Sequence, residues 1–222
     1  NGHSGAPQSI YSDEFVWQDG ADGELGYKLE VPPVHPILIS SKTIGYGQSH
    51  AELMANFNQL QVTIALVRDG YHENSQGGQV KLTDNGSTLD YPLTDAFWRA
   101  ARRAYASMAE LQFAAGANKV LPISEGMPYL SNWSEAKKAI AEMELAPLKT
   151  VVASAHVMGG CPLGEDPAIS MVNSYGESHY FENLSVMDGS IFPTSLGANP
   201  QLSIYGITAR NATRLAEKLT SS

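Results

Sequence analysis

Three short segments near the end of this chain contain residue types that carry out chemistry in proteins. His156 opens the stretch His-Val-Met-Gly-Gly-Cys-Pro-Leu-Gly, Asp188 opens Asp-Gly-Ser, and Asn199 is followed by Pro200. Histidine has an ordinary pKa that suits proton transfer near neutral pH. An asparagine amide can hold an oxygen atom in place but cannot act as a base. These residues indicate a site that takes a proton from a hydroxyl group.

Oxidation of an alcohol also removes a hydride from carbon, and no side chain can accept one, so an organic acceptor is required. Asn199-Pro200 predicts a helix start, because Asn is favoured at the cap and Pro at the first helical position. A helix N-terminus carries free N–H groups and partial positive charge, which stabilise a neighbouring anion. Each motif alone also fits an ordinary structural role. On the residues alone, the structural and the catalytic interpretations both stay open.

The elements that must position these residues are two short strands and a long helix. Residues 150–154 are predicted to form a strand that leads into His156, and residues 184–187 a buried strand that ends at Asp188. Ligands gather at the carboxyl ends of strands in α/β sheets. The final helix is predicted to run from Asn199 to about Lys218. Its predicted buried face consists of Leu202, Ile204, Ile207 and Ala209.

The upstream part of the chain predicts a sheet with helices. Prolines 32, 33 and 36 argue against a helix in the first 50 residues. Alternation of apolar residues and turn signals then predict strands at 14–18, 37–40 and 60–67, and a hairpin at 79–83 and 88–91 with a turn at Asn85-Gly86. Helices are predicted at 95–115 and 133–143, with Thr94 and Asn132 as caps and Gly116 as a terminator.

Composition narrows the class of protein. The 222 residues carry a net charge of −9, which argues against nucleic-acid binding because phosphate neutralisation requires clustered Lys and Arg. The sequence has no run of 18 or more apolar residues, so no membrane span is predicted. Cys161 is the single cysteine, which makes an intrachain disulfide impossible and favours a packing role in a glycine-rich turn.

The segment from His156 to Leu219 resembles the C-terminal signature of the glucose–methanol–choline (GMC) family of flavin oxidoreductases. It is most similar to members related to cholesterol oxidases and long-chain alcohol oxidases. The resemblance is carried by the histidine–glycine–cysteine stretch, by Leu184 to Ser195 with its Asp-Gly-Ser, and by Gly197-Ala-Asn-Pro. The first 155 residues resemble the family only loosely. One departure is Val157, where the family often has proline.

The resemblance implies FAD as cofactor and an alcohol as the small-molecule substrate. His156 and Asn199 are then the catalytic residues, with His156 assisting removal of the hydroxyl proton while hydride passes to flavin N5. Asn199 orients the substrate oxygen. The cofactor-binding positions implied are Asp188, Gly189, Asn199, Pro200 and Gln201.

The implied fold class is mixed α+β and α/β. Residues 1–155 are expected to form an antiparallel-sheet substrate domain with helices. Residues 156–222 are expected to supply the C-terminal strand and helix of a Rossmann-like FAD-binding domain. The family's dinucleotide-binding glycine loop does not appear, and Gly45-Tyr-Gly47 lacks the strand–turn–helix context that such a loop requires. The N-terminal FAD-binding portion is therefore expected as a separate or missing chain, without which this polypeptide would not retain FAD.

Two other functions remain open at this point. A non-catalytic binding or assembly subunit would keep the fold without flavin chemistry. A hydrolase that uses Cys161 and His156 would need a third group to orient the histidine, and the five-residue spacing supplies none.

Overall fold

The computed structural model describes residues 10–221, and the chain divides into two units. One unit contains the residues up to Val67 together with Leu93–Ala153, and the other contains Arg68–Pro92 together with Ser154 onward. The segment 68–92 therefore groups with the C-terminal residues. Both units mix helices with small antiparallel sheets, which confirms the mixed α and β class. The Rossmann-like arrangement and the division at residue 155 stay predictions.

The first unit contains a three-stranded antiparallel sheet in the order β1–β2–β3. Strand β1 is Tyr11–Ser12, β2 is Tyr27–Glu30 and β3 is Ile64–Val67. Tyr27 and Leu29 alternate along the buried face of β2, and Ala65 and Val67 pack against them. The predicted strand 60–67 therefore exists only from Ile64 onward.

A long helix, α3 (Asp95–Ala114), packs against this sheet through small residues. Thr94 Oγ1 accepts a hydrogen bond from the Phe97 N–H at 3.2 Å, which satisfies a free donor of the first turn. Gly116 follows the helix with a φ of +92°, the left-handed conformation in which glycine ends helices. The predicted helix, its cap and its terminator are confirmed.

Helix α4 (Trp133–Glu142) packs against α3 around Leu130, Ile140 and Ala109, each at most 1% exposed. Asn132 Oδ1 accepts from the Glu135 N–H at 2.9 Å, as the capping pattern predicts. At its other end, Arg102 donates to the carbonyls of Ala141 and Met143, both at 2.9 Å. These carbonyls have no partner within the helix, so a cation from α3 fixes the end of α4.

The early proline-rich region contains two helices, although its prolines argued against any helix there. Helix α1 spans Pro36–Lys42 and α2 spans Gly47–Ala55. The prediction of a strand at 37–40 is wrong because Pro36 occupies the first turn, where its missing N–H costs nothing, and His35 caps that turn. The prediction at 14–18 is also wrong, since this segment contains a turn between β1 and β2.

The second unit contains a hairpin and the last helix. Strands β4 (Gln79–Thr83) and β5 (Gly86–Asp90) pair around the two residues 84 and 85, with Thr83 opposite Gly86. The predicted hairpin is confirmed, but its connection lies at 84–85 rather than at Asn85-Gly86, and Gly86, with a φ of +121°, begins β5. The hairpin is exposed throughout.

Helix α5 (Gln201–Thr220) closes the second unit. The prediction of a buried face is wrong in part. Ile204 and Ile207 are half-buried, whereas Leu202 is 83% exposed and Ala209 is also exposed. Residue Asn211 is the one buried position of the helix. Within residues 10–221, no helix combines the length and the apolar character needed to cross a membrane.

Candidate active site

His156 lies in irregular backbone rather than at the end of a strand. The predicted strand 150–154 is wrong, because only Thr150 makes an isolated bridge, to Ser124. His156 sits in a bend and is half-buried. Gly159 follows with a φ of +86°, a conformation that side chains rarely adopt, so the expected sharp turn after the histidine is present.

Asn199 and Pro200 stand directly before α5. The structure places Pro200 at the cap position, with φ −85° and ψ −3°, and begins the helix at Gln201, one residue later than predicted. Pro200 is buried and Asn199 is exposed. The first turn of α5 presents free N–H groups and the positive end of the helix dipole, although Pro200 itself has no N–H to contribute.

These residues meet at one cavity of about 310 Å³. Its lining brings His156 together with the start of α5, although the two are far apart in sequence. The residues that line it are Ala155, His156, Asn199, Pro200, Gln201, Ile204 and Tyr205. Four of the residues predicted for the site therefore share one cavity.

Backbone pairing holds the histidine segment against the segment before α5. The Cys161 N–H donates to the Ser190 carbonyl, and the Leu163 N–H donates to the Ile191 carbonyl, both at 2.9 Å. Gly189 lies buried beside them. A Cβ atom on Gly189 would stand 3.1 Å from Ile204 Cδ1 and 3.2 Å from the Val157 carbonyl oxygen. Glycine at 189 therefore allows close packing between the histidine segment and the start of α5.

Asp188 and Gly189 do not line the cavity. The predicted strand 184–187 is wrong, since only Ser185 makes an isolated bridge there, and residues 189–191 form a single 3₁₀ turn. Asp188 caps this turn by accepting from the Ser190 N–H at 2.8 Å. Hydrogen bonds from the Ser190 side chain and backbone lower the pKa of Asp188. The assignment of Asp188 and Gly189 to cofactor binding stays a prediction.

The hydrogen bonding of His156 differs from that of two other histidines. His179 Nε2 lies 2.9 Å from the Gly164 carbonyl and 3.2 Å from Ser170 Oγ, and His72 accepts from the Asn74 N–H at 3.1 Å. Across residues 10–221, no protein group forms a hydrogen bond with the imidazole of His156. Both of its ring nitrogens are available to a ligand in the cavity.

Tyr205 is a cavity residue that the sequence motifs do not contain. Gln201 Nε2 donates to Tyr205 Oη at 2.7 Å. Residues four apart lie on one face of a helix, so the spacing from Gln201 to Tyr205 could have indicated that Tyr205 lies beside the site.

The lining suits a flavin in size and in chemistry. A volume of about 310 Å³ falls within the range of small-molecule sites. The apolar side of Ile204 and the ring of Tyr205 match a flat aromatic group, and the helix N–H groups match its carbonyl edge. Among the described residues there is no group of three or more potential metal ligands.

Comparison with known proteins gives one family. A family model described as GMC oxidoreductase matches residues 74–208, which include every residue predicted for the site. A GMC-type oxidoreductase of Sinorhizobium fredii, itself uncharacterized, is 31% identical over 128 residues, or 58% of this chain and 25% of that protein. A long-chain-alcohol oxidase of Arabidopsis thaliana is 29% identical over 188 residues, or 81% of this chain and 25% of that enzyme.

A cholesterol oxidase of Acinetobacter baumannii is 34% identical over 67 residues, or 30% of this chain and 12% of that enzyme. The matched stretches span about a quarter or less of the length of these curated relatives.

Proposed function

This chain belongs to the GMC oxidoreductase family, and on that premise we propose that it is the C-terminal portion of an FAD-dependent enzyme that oxidises the CH–OH group of an alcohol. The observation that carries the proposal is the cavity in which His156 faces the start of α5. That cavity joins a proton acceptor to a cluster of hydrogen-bond donors.

In the proposed mechanism, His156 takes the proton of the substrate hydroxyl group. Its imidazole has no competing hydrogen bond from residues 10–221, so a ring nitrogen can accept that proton. The amide of Asn199 holds the same oxygen atom in place. When bound, FAD supplies the hydride acceptor that no side chain can provide.

Pro200, Gln201 and the first turn of α5 would contact the edge of the flavin. A helix N-terminus carries about half a positive charge and stabilises negative charge beside it by ~1–2 kcal/mol in a partly buried geometry. We keep Asp188 and Gly189 as cofactor-binding candidates, and their turn and packing also support this wall. The dinucleotide anchor would come from an N-terminal portion, as a separate or missing chain, that completes the Rossmann-like domain.

The names of the relatives support an alcohol as substrate. They include a long-chain-alcohol oxidase and a cholesterol oxidase, and both names describe oxidation of a hydroxyl compound.

The test is anaerobic reduction of the flavin, followed in the visible spectrum, with a panel of alcohols added to the chain reunited with its N-terminal FAD-binding portion and purified with its flavin. Loss of general base catalysis usually costs ~10²–10⁴ in rate, so His156→Ala should slow reduction by that factor. His50→Ala is the matched control, because His50 lies in α2 with its imidazole bonded to the Ser40 carbonyl.

An unchanged rate in His156→Ala would reject the role of this residue. A flavin that no alcohol reduces, or a colourless preparation of the chain reunited with its N-terminal FAD-binding portion, would instead favour the binding or assembly subunit.

A further inference from the structure

A short 3₁₀ turn, Asp69–Tyr71, lies against the segment that leads into Asn199. Thr194 Oγ1 donates to the Gly70 carbonyl at 2.8 Å. A Cβ atom on Gly70 would stand 2.1 Å from that hydroxyl oxygen, so the approach is possible only with glycine. Residues 68–71 and 194–197 belong to the same unit, although more than 120 positions separate Gly70 from Thr194.

Arg68 makes the second contact. Gly197 is buried with a φ of +66°, and a Cβ atom there would lie 2.4 Å from Arg68 Nε and 2.6 Å from its Cγ and Cδ. The guanidinium group stands 4.2 Å from the centre of the Tyr71 ring, a cation–π arrangement that fixes its plane. The side chain of Arg68 is thus packed between the Tyr71 ring and the backbone of Gly197.

A hydrogen bond from another segment of the same unit holds the turn Asp69–Tyr71 in place. Tyr91 Oη donates to the Asp69 carboxylate at 2.5 Å. Burial and this interaction with Asp69 raise the pKa of Tyr91, so the phenol remains a donor at neutral pH. Residues on both sides of Gly70 are therefore held, and the turn can act as a fixed support for the segment it touches.

We propose that Arg68 is a positioning residue for the alcohol oxidation assigned above, and that it acts by holding the loop that ends in Asn199. The inference rests on the proposed function. Gly197 stands two residues before Asn199, and Thr194 fixes the other end of the same loop. With both points anchored, Asn199 keeps one position relative to His156. Arg68 itself does not line the cavity.

A double-mutant cycle tests the proposal, because residues that act through one another do not give additive effects. The variants are Arg68→Ala, Asn199→Ala and their combination, measured by the rate of flavin reduction at saturating alcohol. A displacement of about 1 Å at a reacting group can cost ~10²-fold, so Arg68→Ala should lower the rate by ~10- to 100-fold. In the Asn199→Ala background, the same substitution should cost less than about twofold, which is near the limit of additivity for independent sites.

Arg99→Ala is the matched control, since Arg99 forms an exposed ion pair with Glu24 in the other unit. It should leave the rate and the cycle unchanged. Thr194→Val removes only the hydroxyl donor at the other end of the loop and tests the same proposal if Arg68→Ala does not fold. It should lower the rate in the parent protein and have little effect beside Asn199→Ala.

Additive losses in the cycle would overturn the proposal, as would an Arg68→Ala protein with the parent rate. Hydrogen exchange of residues 195–203 distinguishes failure of the anchoring by Arg68 from failure of the proposed alcohol oxidation. If no alcohol reduces the flavin, the function fails. Faster exchange of that segment in Arg68→Ala than in Arg99→Ala would still support the anchoring, and equal exchange would refute it.

Discussion

Replacement of Gly197 by alanine tests the packing of Arg68 directly and gives a stability change that can be worked from the structure. Two costs add. A φ of +66° is unfavourable for any residue with a Cβ atom, by about 1–2 kcal/mol. The new methyl group would also overlap the Arg68 side chain at 2.4–2.6 Å, and overpacking of this kind costs about 1–3 kcal/mol. The expected loss in free energy of unfolding is therefore about 2–5 kcal/mol.

Gly77→Ala is the matched control, because Gly77 has a φ of +69° and a methyl group added there would meet no other side chain or backbone segment within 4 Å. In Gly77→Ala, the free energy of unfolding should fall only by the cost of the positive φ, about 1–2 kcal/mol. Urea unfolding of both variants, with unchanged slopes, gives the two free energies. The difference between them measures the contact with Arg68.

Equal losses at the two glycines would refute the reasoning, since they would mean that Arg68 moves aside freely. The double variant Gly197→Ala with Arg68→Ala supplies a second check. Removal of the Arg68 side chain relieves the overlap, so the alanine at 197 should then cost no more than the alanine at 77.

Two further predictions concern the first unit. Thr94→Ala removes the cap of α3 and should lower the free energy of unfolding by about 1 kcal/mol, as measured by urea unfolding. Thr94→Ser keeps the hydroxyl acceptor and should therefore retain most of the stability that the cap provides. Burial raises the pKa of Tyr105 to about 12, so between about pH 10 and 12 the unfolded chain loses a phenol proton that the folded chain keeps. Stability should therefore fall as the pH rises through this range. Tyr105→Phe should remove this part of the fall, at the cost of about 1 kcal/mol for the lost hydrogen bond to the Ile123 carbonyl, as measured by urea unfolding near pH 9 and pH 12.

The helices of this chain were predictable because their signals are local. Thr94 and Asn132 each bond a backbone N–H three residues ahead, and Gly116 ends α3 in a conformation that its lack of a Cβ atom allows. Such interactions lie within a few residues of one another in sequence. The hairpin at β4 and β5 was predictable for the same reason, since its two-residue connection and Gly86 define the turn.

The errors occurred at strands, where the deciding interactions are distant. Apolar residues at 150–154 and 184–187 suited a strand, yet each segment found only an isolated bridge partner. Residues 27–30 became a strand because they pair with residues 11–12 on one side and with β3 on the other. At Pro36, the rule that proline interrupts helices gives the wrong result because the first turn of a helix is its exception.

The candidate site, too, was predictable only in part. Its residue types were visible in the sequence, but its assembly depends on the backbone bonds between 161–163 and 190–191 and on the close packing of Gly189. These contacts are not encoded in any short motif. Tyr205 and Arg68 were not predictable from motifs, because one completes a helix face and the other reaches the site loop from a turn more than 120 residues earlier.

At the cavity, His156 and Asn199 cannot exchange roles, and this follows from their chemistry. The Gly164 carbonyl only accepts hydrogen bonds, so it requires the hydrogen of His179 on Nε2 and removes that nitrogen from any reaction. His156 meets no such partner among residues 10–221, so the ligand in the cavity determines which of its nitrogens carries the hydrogen. The Asn199 amide can present an oxygen or an N–H group to the substrate, but it has no lone pair basic enough to take a proton. Orientation by Asn199 therefore has value only while His156 remains to accept the proton, and an anchor on the Asn199 loop acts on the rate through that geometry.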